Sequence, residues 1–473
     1  MSAPKTYLKD PEFEDQIAPR SWLSAFYLFR DRLSAASPAQ HRQFVARLRQ
    51  NLDEAVRRVP RFGAELEEQP DGRIRLAVVE AGRDDDGPGL LHESPLWEHA
   101  GIDDLLPIVE QPGAPRNLLL PDLGARTARV DVLRVRDGVC VAFHAHHSVA
   151  DGATFAKFVR SVVEGGPLSL PGPVRPPSRS PTTAEQDSDW FRTVSAEMKV
   201  YALRDAYTLL ADKGGPAQPA EPHRSFAPPT ESKTYRVSKT KCKAQISENR
   251  KAWIAENPEQ KAREFTVFEF LAAHLAAHAI TARLDAAEAW GKDATIWIPV
   301  DVRDVVGRGP ETHGNTVVPA AVDLSPPVCL RASWGLGDEV QRQAVEFIAK
   351  AISDTIRIVR TREWLLWRQE LVHGIAEKDV RDFGVGFHAA DSHWVHVNDA
   401  RHFGADFSFP CLGKADAVRR HVPSAPGIQL HPTREGDDAV VFTVTLPKEA
   451  MENLYEHRYF VDFMKDIEAA PSE

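Results

Sequence analysis

Apolar and polar residues alternate along two neighbouring segments, as they do in strands that bury one face. The first segment is Ala128–Val135, and it is followed by Asp137-Gly138, a pair that is typical of a tight hairpin turn. The second segment spans 139–147, and its apolar face consists of Val139, Val141, Phe143 and Ala145. The pattern predicts two antiparallel strands joined as a hairpin.

The spacing of the apolar positions changes after this hairpin. Apolar residues then recur at the period of a helix, at Phe155, Phe158, Val159 and Val162. The predicted helix begins near Gly152, and Asp151 stands where a carboxylate commonly caps a helix. The pattern therefore places His147 where a strand ends and a helix begins, which is a frequent location for functional residues in α/β proteins.

Similar patterns extend along the rest of the chain. They predict helices over 39–59, 190–211, 266–284 and 337–361, and strands over 73–80, 234–237, 295–300, 316–324 and 440–446. Proline, glycine and serine are concentrated at 165–181 and prolines again at 217–229, as in connections between folded units.

The order of these elements predicts an α/β fold with two lobes, each a mixed β-sheet flanked by helices, joined by a long crossover. The N-terminal lobe is expected over 1–185, a crossover helix with a proline-rich linker over 186–232, and the C-terminal lobe over 233–473. A cleft between two such lobes is a natural ligand site.

Composition narrows the possible partners and the compartment. The chain has 473 residues, of which 42% are hydrophobic and 27% are charged, as in soluble globular proteins. A net charge of −10 without a basic stripe argues against binding to nucleic acid or to an anionic membrane. The N-terminus has no apolar signal-peptide core, no apolar run has the length of a membrane span, and the four cysteines lack metal or disulfide spacing. These features predict a cytoplasmic protein with reduced thiols.

The candidate chemistry is concentrated at 143–152, which reads Phe-His-Ala-His-His-Ser-Val-Ala-Asp-Gly. A neutral imidazole can accept a proton from a hydroxyl or amine near neutral pH. A carboxylate four residues later can hold the turn that directs this imidazole, and a glycine after it allows a tight turn or a close backbone approach. The pattern His-His-x-x-x-Asp-Gly is therefore the most specific functional signal in the chain.

Two further blocks accompany this motif. The first is Val300-Asp301-Val302-Arg303, followed by a Gly314-Asn315 turn. The second reads Asp-Phe-Ser-Phe-Pro at 406–410, followed by Gly-Lys-Ala-Asp-Ala-Val-Arg at 413–419. With weaker matches at 18–20 and 60–63, the chain resembles over nearly its whole length the acyl-CoA-dependent BAHD transferases and their fungal relatives. That family shares a fold with chloramphenicol acetyltransferase and with peptide-synthetase condensation domains.

The resemblance implies an acyltransferase with acyl-CoA as co-substrate and no bound cofactor or metal. It implies that His147 and Asp151 are the catalytic pair of the motif. His147 would be the general base between an acyl-CoA entrance and an acceptor entrance, and Asp151 would turn away and pair with an arginine. A small-molecule acceptor and a monomeric enzyme are the expected partner and state.

Other positions take supporting roles under the same resemblance. Arg303 and Asp406 are expected to form an architectural pair, Gly152 to serve backbone geometry, and His146 to pack or orient its neighbour. Candidates for binding substrate or coenzyme are Asn315, Ser392, Trp394 and Ser408. Ser148, Ser408 and the backbone amides near Gly152 are candidate oxyanion donors.

The third block departs from the family pattern, because Ser408 and Pro410 replace glycines. The segment 382–386, Asp-Phe-Gly-Val-Gly, matches the letters better but lies too early and lacks the continuation. The altered block leaves open a reaction without CoA on the same fold, a condensation or cyclisation, or a binding protein. A metallohydrolase is a further alternative, because His144 and His146 share a strand face and could bind zinc with Asp151.

Overall fold

The computed structural model describes residues 5–8, 21–30, 38–70, 73–79, 90–111, 126–166, 230–256, 264–284, 294–306, 314–334, 337–366, 368, 394–422 and 426–469. The predicted helix at 190–211 and most of the expected crossover, the block at 382–386, the weak match at 18–20, and Ser392 lie outside these residues.

Sixteen strands are found in the described residues. They are β1 Lys5–Tyr7, β2 Trp22–Arg30, β3 Glu65–Glu68, β4 Ile74–Val79, β5 Leu91–Glu93, β6 Ala128–Val135, β7 Gly138–His146, β8 Thr230–Ser238, β9 Ala294–Asp301, β10 Val317–Leu324, β11 Trp394–Asp399, β12 Ser408–Phe409, β13 Gly413–Lys414, β14 Ala417–Arg420, β15 Gly427–Leu430 and β16 Ala439–Pro447.

The helices that frame these strands are α1 Pro38–Arg58, α2 Ile102–Val109, α3 Gly152–Glu164, α4 Lys239–Glu256, α5 Val267–Arg283, α6 Pro326–Ser333, α7 Asp338–Val359, α8 Lys448–Glu456 and α9 Arg458–Ile467. A short 3-10 helix spans Pro60–Phe62. Among the described helices, none combines the length and apolar character that crossing a bilayer would require.

The sheet of the N-terminal lobe has the strand order β14-β2-β7-β6-β5. The predicted hairpin is confirmed: β6 and β7 are antiparallel, with Val135 opposite Gly138 at the turn and Ala128 opposite Ala145. Helices α1 and α3 cover one face of this sheet and bury its aromatic and aliphatic side chains, whereas α2 covers the other face. Strand β2 pairs with β7 over its full length. The alternation pattern did not predict β2, because its sequence is apolar on both faces.

The sheet of the C-terminal lobe has the order β10-β9-β11-β15-β16-β8 and is mixed, because β11 runs parallel to both β9 and β15. One face packs on α5, α7 and their neighbours in the larger hydrophobic core. The opposite face carries buried or half-buried polar side chains, among them Ser232, Thr234, Gln429, His431, Thr443 and Thr445. Gln111 of the N-terminal lobe donates to the carbonyl oxygen of Ser232, so the edge strand β8 contacts the other lobe.

Strand β14 crosses from one lobe to the other. It follows β11 in the chain, yet it pairs with β2, with Arg420 opposite Ala25. Phe409, Leu412 and Val418 pack in the hydrophobic core of the N-terminal lobe. The boundary expected at residue 233 therefore does not separate the two sheets, because strand pairing is decided by contacts distant in sequence.

An ion pair buried between the lobes joins the loop after β7 to the residues that follow β9. Asp151 is fully buried, and its Oδ2 accepts hydrogen bonds from Arg303 Nη2 at 2.6 Å and from the backbone N–H of Thr316 at 2.9 Å. Its Oδ1 accepts from the backbone N–H of Thr154 at 2.8 Å and so caps α3. Both carboxylate oxygens are thus occupied by protein donors, as the resemblance implied for an aspartate paired with an arginine.

Arg303 is shared between two carboxylates. Its Nη1 pairs with Asp301, while its Nη2 binds Asp151. Thr316 also bridges the pair, because its hydroxyl lies 3.1 Å from Asp151 Oδ2 and 3.2 Å from Asp301 Oδ1. We refer to Asp151, Arg303, Asp301, Thr154 and Thr316 as the inter-lobe network.

The expected pair of Arg303 with Asp406 is wrong. Asp406 lies near the surface, where it pairs with Lys414 at 2.7 Å and accepts a hydrogen bond from the backbone N–H of Glu435 at 2.8 Å. Both partners of Asp406 belong, like Asp406 itself, to the C-terminal part of the chain. The packing of the lobes decides which aspartate Arg303 reaches.

We expect Asp151→Asn to destabilise the protein strongly. The substitution leaves the buried guanidinium of Arg303 with one carboxylate instead of two, and breaking one side of a buried ion pair typically costs about 3–5 kcal/mol. Urea denaturation would measure the loss, and Asp151→Asn combined with Arg303→Met should recover part of it.

The matched control is Asp304→Asn, which breaks the more exposed pair of Asp304 with Arg360 close to the network. Exposed pairs contribute little to stability, so this variant should unfold at nearly the same urea concentration as the unmodified protein. Equal destabilisation by Asp151→Asn and Asp304→Asn would contradict the structural role of the network.

Candidate functional site

His147 follows directly after β7 and lies between the lobes. Its backbone N–H donates to the carbonyl oxygen of Ser21 at 2.8 Å, which anchors the loop to the start of β2. Its imidazole is partly exposed and contacts the C-terminal lobe through Asn315. The sequence thus places the imidazole at a strand end, and the second lobe orients it.

Asn315 fixes the proton arrangement of His147. The Nδ2 amide group of Asn315 donates to the backbone carbonyl oxygen of His147 at 2.7 Å, so its Oδ1 faces the imidazole Nδ1 at 3.0 Å. An amide oxygen only accepts, and Nδ1 must therefore carry the proton. The lone pair of the neutral ring is then on Nε2, the atom that can act as a base.

The backbone before Asn315 adopts a conformation that favours glycine. Gly314 has φ of +96°, and its carbonyl oxygen accepts a hydrogen bond from the hydroxyl of Thr154 at 3.0 Å. Asn315 is therefore held between Gly314 and Thr316, both of which contact the inter-lobe network. Residues 314–316 therefore join the inter-lobe network to the side chain that orients His147.

Burial keeps the imidazole neutral. Desolvation lowers the pKa of His147 below its ordinary value, against smaller opposing effects from hydrogen bonds and from the charge of Asp151. His396, on the polar face of β11, lies near enough to interact electrostatically with His147, and burial lowers the pKa of His396 to about 4. Both rings are uncharged at neutral pH, and His147 is therefore in the protonation state of a base.

His146 and Gly152 have the supporting positions expected of them. The ring of His146 packs edge-on against Trp22, and its Nδ1 accepts from the backbone N–H of Ser148 at 3.2 Å. A Cβ on Gly152 would lie 3.3 Å from the ring of Phe403, so the glycine permits a close approach between α3 and the loop after β11.

The other predicted binding residues are dispersed. Trp394 is buried in β11, two residues before His396 on the same face, and its backbone carbonyl oxygen accepts from Arg283. Ser408 is exposed, and its backbone N–H lies 3.4 Å from a carboxylate oxygen of Glu164. Asn315 is thus the predicted binding residue that directly contacts His147, whereas Ser408 lies at the surface.

The three side chains of the alternative zinc site have separate partners. His144 Nδ1 lies 2.7 Å from the hydroxyl of Ser24, and its Nε2 faces Asp131 at 3.3 Å. Asp151 instead faces Arg303. Within the described ranges, no three histidine, cysteine or carboxylate side chains are grouped as a metal ion would require.

A cavity of about 460 Å³ lies between the lobes beside the third sequence block. Its lining includes Arg30, Arg236, Arg419 and Arg434, together with Asp416 and Asp437. This cluster was not predicted from the sequence, because its arginines come from β2, β8, β14 and the segment before β16. His396 and Arg420 were not predicted either, because neither belongs to a local motif and both act on His147 only in the folded chain.

No protein-family model and no curated protein sequence matches this chain. Solved structures, in contrast, match it over nearly its whole length. One is TRI101 of F. sporotrichioides complexed with coenzyme A and T-2. It has a TM-score of 0.64 at 12% sequence identity, with 97% of this chain and 99% of that chain covered.

Two other similar structures come from different kinds of protein. Vinorine synthase has a TM-score of 0.57 at 12% identity, with 99% and 98% of the two chains covered. The first condensation domain of the calcium-dependent antibiotic synthetase has a TM-score of 0.55 at 14% identity, with 98% of each chain covered. The chain therefore has the chloramphenicol acetyltransferase-like fold that its sequence motifs predicted.

Proposed function

We propose that this protein is an acyltransferase that moves an acyl group from an acyl-CoA thioester to a hydroxyl or amine of a small acceptor. The observation that carries the proposal is the neutral imidazole of His147, with Nδ1 protonated by its bond to Asn315 and Nε2 available as a base. The proposal is also supported by the likeness to TRI101, a structure that contains coenzyme A and a small molecule.

In the proposed reaction, His147 Nε2 removes the proton as the acceptor oxygen or nitrogen attacks the thioester carbonyl carbon. The tetrahedral intermediate then collapses, the carbon–sulfur bond breaks, and the proton on Nε2 passes to the thiolate of CoA. Base assistance of this kind typically contributes about 10²–10⁴-fold to the rate. Asn315 stabilises the imidazolium that forms between the two steps, because its oxygen accepts from Nδ1–H.

We further propose that the arginine-lined cavity holds the phosphates of CoA. Arg30 and Arg419 already pair with Asp103 and Glu110, so Arg236 and Arg434 are the cations of the lining that we expect to meet the phosphates. Strand β2 runs from this cavity, which Leu28 lines, to Trp22, which pairs with His146. Leu28 and Trp22 are separated by about 20 Å along the extended strand. A long thioester could therefore keep its phosphates in the cavity while its acyl group reaches His147.

Asp151 is a structural member of the motif under this proposal. Its oxygens are occupied by Arg303, Thr154 and Thr316, so it holds the loop and reaches no substrate.

A reaction without CoA on the same fold is the second candidate. It is favoured by the match to a condensation domain and by the exposure of Ser408 in the altered third block. Incubation with acetyl-CoA and a panel of small alcohols and amines separates the two candidates, because only the acyltransferase releases free CoA thiol in an acceptor-dependent way.

His147→Ala should lower turnover by about 10²–10⁴-fold, because the proton of the acceptor loses its base. The thermal midpoint should change little, since the imidazole is partly exposed and does not belong to the inter-lobe network. Thiol release from acetyl-CoA measures the rate. His146→Ala is the matched control, and its effect should be much smaller; comparable small losses in both variants would refute the assignment.

The pH profile of kcat/KM should report the lowered pKa of His147. The imidazole is active when neutral, so activity should persist down to the ordinary histidine value of about 6.5 and fall only at more acidic pH. Steady-state rates across pH 5–8 test this, with thermal midpoints measured in the same buffers as the control for unfolding. A fall of kcat/KM centred above pH 6.5 would contradict the lowered pKa of His147.

Arg236→Gln should weaken CoA binding about tenfold, equivalent to about 1.4 kcal/mol for a lost charge-assisted contact. Calorimetric titration with CoA measures the change. Lys233→Gln is the control on the opposite face of β8, where the ammonium group lies over the rings of Tyr235 and Tyr455. Equal affinities of the two variants would place the phosphates elsewhere.

A further inference from the structure

Arg420 is a buried cation that has no counter-ion among the described residues. Arg420 is 5% exposed, and its guanidinium lies over the ring of Phe155, 4.7 Å from the ring centre. Among the residues that the structure describes, that guanidinium makes no hydrogen bond and no ion pair. The backbone N–H of Arg420 bonds to His431, but the charged end of the side chain faces no carboxylate.

Other buried arginines of this chain are paired. Arg303 binds two aspartates, Arg129 binds Asp131 at 2.5 Å, and Arg342 binds Glu256. Removing a charge from water is unfavourable unless a partner compensates for it, and a guanidinium cannot escape by losing its proton. Burial lowers the pKa of Arg420 to about 10, which still leaves it charged at neutral pH. Within the described ranges, no carboxylate supplies its counter-charge.

The groups around Arg420 are neutral and lie beside the proposed catalytic base. The charge of Arg420 acts on His147, His421, His431 and Tyr27, all of which are uncharged at neutral pH. Phe155 belongs to the first turn of α3, whose N-terminal end is already capped by Asp151. The four described groups on which the charge of Arg420 acts therefore supply no negative charge to it.

We propose that Arg420 binds a carboxylate carried by one of the two substrates and thereby selects an acidic acceptor or a dicarboxylic acyl-CoA. The inference rests on the proposed function, because that function brings both substrates to His147. A guanidinium can bind both oxygens of a carboxylate in parallel, and the face of Phe155 would keep its plane in a fixed orientation.

The position of Arg420 indicates a substituent of the substrate and not the reacting carbonyl. Arg420 lies opposite Ala25 of β2, whereas His146, the neighbour of His147, lies opposite Trp22 of the same strand, about 10 Å away along an extended chain. A group held by Arg420 would consequently lie some distance from the atom that exchanges its proton with Nε2.

The test compares matched neutral and anionic substrates in two arms. In the donor arm, affinities for malonyl-CoA and its neutral near-isostere acetoacetyl-CoA are measured by calorimetry. In the acceptor arm, acetyl-CoA thiol release is measured with hydroxy acids and with their methyl esters. We expect at least one arm to favour the carboxylate tenfold or more, Arg420→Gln to abolish this ratio, and Arg420→Lys to retain part of it.

Arg342→Gln is the matched control, because it removes a paired, half-buried arginine from the C-terminal lobe. It should lower the thermal midpoint and leave the substrate ratios unchanged. Arg420→Gln should leave the midpoint unchanged or raise it, since no protein carboxylate loses a partner. Ratios that are the same in the unmodified protein and in Arg420→Gln, in both arms, would overturn the proposal.

A third measurement separates this inference from the proposed function. If no CoA ester binds, the proposed acyltransferase fails, and free malonate becomes the probe of the anion site. A rise of the thermal midpoint with malonate that disappears in Arg420→Gln and persists in Arg342→Gln would support the anion site at Arg420. An equal rise in the two variants would contradict it.

Discussion

The structure depends on one buried carboxylate between two lobes. Asp151 is excluded from water, and it is stable as an anion because Arg303, Thr316 and Thr154 supply donors to both of its oxygens. Two of these donors belong to the C-terminal lobe and one begins α3. Neither lobe can satisfy this aspartate alone, so the association of the lobes and the folding of the motif loop are coupled.

The same network determines the chemistry of the imidazole. Thr316 binds Asp151, and its chain neighbour Asn315 binds both His147 Nδ1 and the carbonyl oxygen of His147. A structural ion pair and the hydrogen bond that orients the proposed base are therefore adjacent on one short segment. This arrangement explains why an aspartate with both oxygens bound by protein donors can belong to the motif of a proposed base.

Charge is distributed unequally around this boundary. The chain is acidic overall, yet arginines from four separate elements line the cavity between the lobes, and the buried Arg420 pairs with no carboxylate in the described part of the chain. Strand β14 carries Arg419 and Arg420 into the N-terminal sheet from the C-terminal part of the chain. Strand β14 thus contributes Arg419 to the cavity and Arg420 to the surroundings of the imidazole. This is possible because successive side chains of a strand point to opposite faces of the sheet.

The sequence by itself determined the local elements and the motif. Alternation and helical spacing predicted the β6–β7 hairpin and α3, and the carboxylate before α3 was recognised as its cap, because these features depend on neighbouring residues. The motif also predicted His147 and Asp151 as site residues, and the block with the Gly314-Asn315 turn predicted Asn315. Only the tertiary structure decided that Arg303 pairs with Asp151 and not with Asp406, that β14 joins the other lobe, and that Arg420 lies beside the site. Ion pairing and strand pairing between distant segments depend on which surfaces meet after folding, and sequence spacing contains no such information.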